Sequence, residues 1–148
     1  MTIHDFTIER YDEVFALWGR TPGICVRDAD SREGTERYLR RNPGLSFVAE
    51  VDGKIVGCAM SGHDGRRGYL QHVVVDPAHR RSGIALELVS RCLAELGREK
   101  IQKVHLDVLV TNLEARTYWK RRGWKLRDDI NRYSILRSQN QNAQPTVK

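Results

Sequence analysis

The chain alternates between two hydrophobic periods. Near the start, "TIHDF" reads as a short strand, after which Tyr11, Val14, Phe15 and Trp18 recur at spacings of three and four, predicting a helix from about Glu9 to Arg20. Pro22 and Gly23 mark a loop, and the polar run Arg32 to Arg41, stopped by Pro43-Gly44, predicts a second helix. In "LSFVAEVDGKIVGCAM" two β-rich runs flank Asp52-Gly53, a pair suited to the positive φ angles of a tight hairpin. A turn at "HDGRRG" leads into a third such run, "YLQHVVV". Ile84, Leu88, Cys92 and Leu96 then form one helical stripe, with Gly97 as the expected stop. "VHLDVLV" is a further strand, and Asn112 is placed to cap a helix running through Tyr118 and Trp119 to Gly123. Two short strands, near Trp124 to Arg127 and Arg132 to Leu136, complete the pattern.

The order β-α-α-β-β-β-α-β-α-β-β predicts an α/β (α+β) fold, a mixed sheet of about seven strands with about four helices on its two faces. At 148 residues, with 40% apolar and 30% charged side chains, the chain is expected to form one domain over residues 1–137. The polar run "SQNQNAQPTVK" from Ser138 reads as a disordered tail. No apolar stretch reaches the roughly 18 residues of a membrane span, and "MTIHDFTIER" lacks a signal-peptide core, so no membrane partner is expected. Three cysteines (Cys25, Cys58, Cys92) without a CxxC pair point to reduced thiols and a cytoplasmic location. The net charge of +6 is spread along the chain. It shows neither a long basic helix nor an aromatic-interleaved patch, so nucleic acid is not the expected partner.

One turn carries chemistry. In "VVVDPAHRRSGIALEL", Val73 to Leu88, a β-branched run passes through Asp-Pro to two arginines, then Ser-Gly, then a helix. Helix starts hold backbone N–H groups without partners and partial positive charge. Gly83 permits close approach, and Arg80 and Arg81 add full charge, which suits phosphate or pyrophosphate. An ordinary β-α turn with solvated arginines is the alternative.

"VVVDPAHRRSGIA" resembles the acyl-CoA-binding motif of the GNAT acetyltransferase superfamily, and "NLEARTYWKRRGW", with Asn112, Ala115 and Gly123-Trp124, resembles its second signature. The resemblance spans roughly residues 2–137. It implies acetyl-CoA as co-substrate, an amine as acceptor and no metal; a homodimer is compatible with it. Backbone groups of Val73, Val74 and Val75 would pair with the pantetheine arm as an added strand. Arg80, Arg81, Ser82, Gly83, Ile84, Ala85 and Leu86 would hold the pyrophosphate. Asn112 would hydrogen-bond near the pantetheine, and Trp119 would lie by the sulfur. Ala85 stands where many relatives have Gly, a small added methyl.

The implied reaction is direct attack of an amine on the thioester in a ternary complex, without a protein nucleophile. Neutralising a lysine of pKa about 10.4 at pH 7 costs roughly 4–5 kcal/mol, against about 1–1.5 kcal/mol for an α-amino group near pKa 8. A strong base therefore matters most for alkylamines. By strand alternation Tyr69, Gln71, Val73 and Val75 share one face, where several relatives place their base, and Leu70, His72 and Val74 take the other. That parity turns His72 away, so a packing histidine is its expected role and a base the lesser one. Asp107, five residues before Asn112, with His105 on the same face, is the leading candidate; Gln71 and Glu50 are the others. The family commonly places a tyrosine acid where Trp119 stands; Tyr118, one residue earlier, is rotated by about 100°, toward the core. Water or Tyr133 would then serve as acid, or thiolate would leave unaided. That substitution keeps open a second reading, a GNAT-fold module that binds acyl-CoA without turnover.

The resemblance builds the acceptor pocket from "TPGICVRDADSREG" and "LRDDINRYS". There Asp28, Asp30, Asp128 and Asp129 would attract a cation or simply be solvated.

Overall fold

The Asp52-Gly53 pair makes the turn its chemistry predicts. Asp52 has φ 51° and Gly53 φ 78°, and the turn joins β2 (Phe47–Val51) to β3 (Lys54–His63) as an antiparallel hairpin. The computed structural model describes residues 1–140. The expected tail lies outside the described residues from position 141 onward. The described chain divides into two compact units, residues 1–106 and a second beginning at Asp107.

The first unit is a five-stranded sheet in the order β1-β2-β3-β4-β5, with β1 at Thr2–Asp5, β4 at Gly68–Val75 and β5 at Val104–His105. Only the β4–β5 pair is parallel. One face is covered by α1 (Tyr11–Gly19), where Val14, Leu17 and Trp18 pack with Val48, Cys58, Met60 and Val74. A 3-10 turn at Ile8–Arg10 precedes it, so the expected helix start is present but wound more tightly. On the same side α2 (Arg32–Arg41) is capped by Ser31, whose side chain accepts from the Gly34 amide.

The other face is covered by α3 (Ile84–Arg98), whose predicted stripe of Ile84, Leu88, Cys92 and Leu96 is buried. A Cβ on Gly57 of β3 would come within 2.9 Å of Ile84 and 3.1 Å of Leu88, so this glycine sets how closely α3 approaches the sheet. Gly97 does not end the helix. The chain stays helical through Arg98, and the left-handed residue is Lys100, φ 67°, where the Lys100 amide reaches the Gly97 carbonyl. Buried Leu96 and Ile101 hold this turn in place, a tertiary contact that outweighs glycine's local preference.

The second unit contains α4 (Leu113–Arg121), capped by Asn112 and stopped by Gly123 at φ 87°, as expected. Five strands stand among the described residues where seven are predicted. "VHLDVLV" is paired only at Val104–His105, and residues 124–136 form no strand. Their alternating apolar positions are Leu126, Tyr133 and Ile135, which are 75%, 90% and 88% exposed. An isolated strand pair without a hydrophobic face to cover is marginal in water, so alternation alone makes no ladder. Among the described residues no helix is long and apolar enough to cross a membrane.

Candidate active site

α3 begins differently from α2 and α4. Those helices carry Ser31 and Asn112 as caps, each satisfying an otherwise unpaired amide, whereas the cap position of α3 is Gly83, which has no side-chain oxygen to offer. Gly83 is left-handed at φ 81° and Arg81 at φ 63°, and a Cβ on Gly83 would meet nothing within 4 Å. Glycine is thus required here by backbone angle, with open space in front of it. Left-handed residues in succession with ordinary ones are the backbone pattern that makes anion-binding concavities, and Arg81 and Gly83 are both left-handed here. Ser82, Gly83, Leu86, Glu87 and Ser90 line a shallow depression beside it.

The turn that leads there is braced. Asp76 Oδ1 accepts from the Ala78 amide at 2.9 Å and Oδ2 from Arg20 Nε at 2.9 Å. Those two contacts, the amide first, hold its carboxyl below the usual carboxylate range. Arg80 Nε reaches back to the Val75 carbonyl at 3.4 Å, tying the arginine pair to the end of β4. The β4–β5 ladder ends at Tyr69–His105, and β4 continues beyond it to Val75.

Three residues before that end, β4 breaks its alternation. Gln71 pairs with Met60 and Val74 with Cys58, so His72 and Val73 stand opposite the single residue Ala59. This is a β-bulge, and His72 takes φ 45° within it. The extra residue puts Gln71 and Val74, with Met60 and Cys58, on the α1 side of the sheet. The expected shared face of Tyr69, Gln71, Val73 and Val75 therefore does not exist, and His72 is not turned away. Its ring lies 4.8 Å from that of Trp18 in α1, and its Nε2 is 2.7 Å from Asp30 Oδ1. Asp30 is itself fixed: its Oδ2 accepts from the Arg27 amide at 2.8 Å, and its carbonyl accepts from the Tyr11 hydroxyl at 2.6 Å.

The other candidate bases are engaged elsewhere. Glu50 sits on β2, 2.9 Å from His4 and 3.8 Å from Arg10. Gln71 is exposed on β4, and His105 stacks on Tyr69 at 5.6 Å. In the second unit Asp107 is 73% exposed and lies 3.3 Å from Arg132, the setting of a surface ion pair. Asn112 Oδ1 accepts from the Ala115 amide at 3.0 Å. Trp119 packs edge-on between Tyr118 and Trp124, at 5.1 and 5.2 Å. Tyr118 is half-buried under Arg122 rather than driven into a core, because α4 buries no residue completely. Asp129 pairs with Arg127 at 2.8 Å, a solvated arrangement.

Comparison with known proteins settles the family. The model of the Acetyltransferase (GNAT) family matches residues 11–124. The chain belongs to that family. It is 32% identical to Acetyltransferase SG1711 of Sodalis glossinidius over 130 residues, 88% of this chain and 91% of that protein. Among solved structures its fold is similar to an aminoglycoside 6'-N-acetyltransferase from Acinetobacter haemolyticus, with TM-score 0.75, 17% identity, and coverage of 93% of this chain and 100% of that one. It is also similar to the PaiA N-acetyltransferase of Thermoplasma acidophilum in complex with coenzyme A, at TM-score 0.75, 16% identity, and coverage of 86% and 91%. The chain is thus an acyl-CoA-dependent acetyltransferase of the GNAT family.

Within this GNAT chain, Val73–Val75 and Arg80–Leu86 fall on consecutive elements of one unit, strand end and helix start. What the sequence reading missed is the bulge and, through it, the meeting of Trp18, Asp30 and His72. Histidine signals a positive φ far less strongly than glycine would have done. The one available hint was a titratable residue inside an otherwise β-branched run.

Proposed function

We propose that this chain is an N-acetyltransferase that moves the acetyl group of acetyl-CoA to a primary amine by direct attack in a ternary complex. The observation that carries the reading is the uncapped start of α3. The amides of Ile84, Ala85 and Leu86, with Arg81 and Gly83 left-handed before them, form a positive rim without an internal acceptor. A diphosphate supplies the missing acceptors and the opposite charge, helped by Arg80, Arg81 and Ser82. Beyond the end of the β4–β5 ladder, the backbone of Val73, Val74 and Val75 supplies a strand edge for an amide-bearing arm. Asn112 and Trp119 are retained as cofactor-side residues on their motif positions.

Acetyl-CoA, when bound, supplies an activated thioester; the chain's own residues orient it and handle protons. An amine nitrogen as acceptor agrees with the names of the similar aminoglycoside 6'-N-acetyltransferase and PaiA N-acetyltransferase. The test is thiol release from acetyl-CoA against spermidine, amino acids, kanamycin and peptides with free N-termini, with the acetylated product weighed by mass spectrometry. One class of amine should release thiol in proportion to product. Coenzyme A binding without release from any of them would make this a binding module.

A further inference from the structure

We propose that His72, oriented by Asp30, is the general base that takes the proton from the attacking amine; this rests on the acetyl-transfer reading above. Four observations meet at this residue. The backbone pays for its placement, since a non-glycine residue at φ 45° inside a strand is a strained conformation kept only where the surroundings impose it. The strain turns the imidazole onto the α1 side, against Trp18 and the 28–30 turn. An ionised carboxylate can only accept, so the 2.7 Å contact to Asp30 places the proton on Nε2 and leaves the Nδ1 lone pair as the basic site. That Nδ1 makes no hydrogen bond among the described residues, and it is not sealed from solvent.

The surroundings suit a base that becomes charged. The His72 and Asp30 side chains are 19% and 12% exposed, largely withdrawn from solvent but not sealed from it. From α1, Tyr11 gives its hydroxyl to the Asp30 carbonyl; burial, and next Asp30, push its own pKa up, so it remains a neutral donor. Arg32 of α2 stands 5.7 Å over the Tyr11 ring and 3.4 Å from Asp12, facing Asp12 rather than the imidazole. From β3, Cys58 is a buried thiol whose pKa is raised by burial, and Met60 is neutral. Asp30 is therefore the charge in hydrogen-bond contact with the ring, and it stabilises the imidazolium. Orientation by a carboxylate in this way fixes both tautomer and direction.

The protons balance. One proton of the ammonium group passes to Nδ1, directly or through one water. The free amine nitrogen bonds to the thioester carbon as the C–S bond breaks. The departing thiolate takes the second proton, and the imidazolium returns its own to solvent.

Two variants test this. In His72→Gln the carboxamide can still donate to Asp30 but has no basic nitrogen. Its kcat is expected to fall about 100-fold where the accepted amine is an alkylamine such as spermidine, and by less with an N-terminal peptide, whose amine is neutral more readily. The KM for acetyl-CoA should change little, and the acid limb of the pH profile should vanish. Asp30→Asn replaces the acceptor-only carboxylate that fixes the ring's tautomer by a carboxamide that can also donate, and should lower kcat with little change in the KM for acetyl-CoA. A purely structural pair would lower melting temperature and activity equally at every pH, with the limb retained. Nitrogen-15 spectra of the wild-type histidines should show neutral His72 protonated on Nε2.

The opposite tautomer overturns the proposal, as does His72→Gln activity within about threefold of wild type with the acid limb intact. Wild type that releases no thiol with any amine fails the acetyl-transfer reading and this one together; active wild type beside an unaffected variant fails only this one.

Discussion

The bulge at His72 and the start of α3 lie on one strand-turn-helix segment, yet they are built by opposite means. At α3 the site is made of backbone: left-handed Arg81 and Gly83 and a helix cap without a side-chain oxygen. At the bulge it is made of side chains from separate elements, His72 on β4, Trp18 on α1 and Asp30 in the 28–30 turn. On the proposed reading the backbone site tolerates variation in side-chain identity, because amides rather than side chains such as Ala85 and half-exposed Leu86 would do the binding. The side-chain site tolerates little, because each atom depends on a different element arriving in register. Binding and chemistry can therefore be lost separately.

The largest effect should come from replacing Arg81 and Gly83 together with Glu. Two carboxylates would then stand where a diphosphate is expected, and coenzyme A affinity measured by calorimetry should fall by at least about 100-fold. The nitrogen spectrum of His72 should stay as in wild type, showing that the two regions are independent. Coenzyme A affinity left unchanged would remove α3 from the site.

A smaller effect is expected at the brace between them. Asp76→Ala loses the amide cap and the Arg20 pair and should cost about 1 kcal/mol in urea denaturation at neutral pH. The Asp76 carboxyl is held below its ordinary range, so its contribution is complete above that range and is lost as pH falls through the lowered folded value. The gap between wild type and variant should accordingly begin to narrow as pH falls through the ordinary carboxylate range and close only below the lowered folded value. A gap that persists there would mean that the side chain acts by packing rather than charge.

The smallest effect is expected at Asp107. As an exposed partner of Arg132, its change to Asn should alter kcat by no more than about twofold across the pH range. A larger loss, with the acid limb abolished, would transfer the base from His72 to Asp107.

How much of this was legible depends on the distance over which each feature is encoded. The hairpin at Asp52-Gly53, the buried stripe of α3, the Asn112 cap and the Gly123 stop all rest on a few neighbouring residues, and all are found as predicted. The cofactor motif is equally local, a turn and one helix start. Three expectations depended on partners instead. Gly97 was overruled by the packing of Leu96 and Ile101. The alternating residues after Trp124 form no ladder. Strict parity along β4 failed because one residue more on β4 than on β3 was accommodated as a bulge.

By itself, then, the sequence determined the family, the hairpin and the amide-lined start of α3, because short-range backbone preferences and a contiguous motif are written in adjacent residues. Only the tertiary structure decided that His72 faces Trp18 and Asp30, 42 positions away from the latter. Strand register is a property of two chains lying side by side. A single extra residue in one of them reverses which side chains share a face, and nothing within "QHVVV" alone records the count on its neighbour.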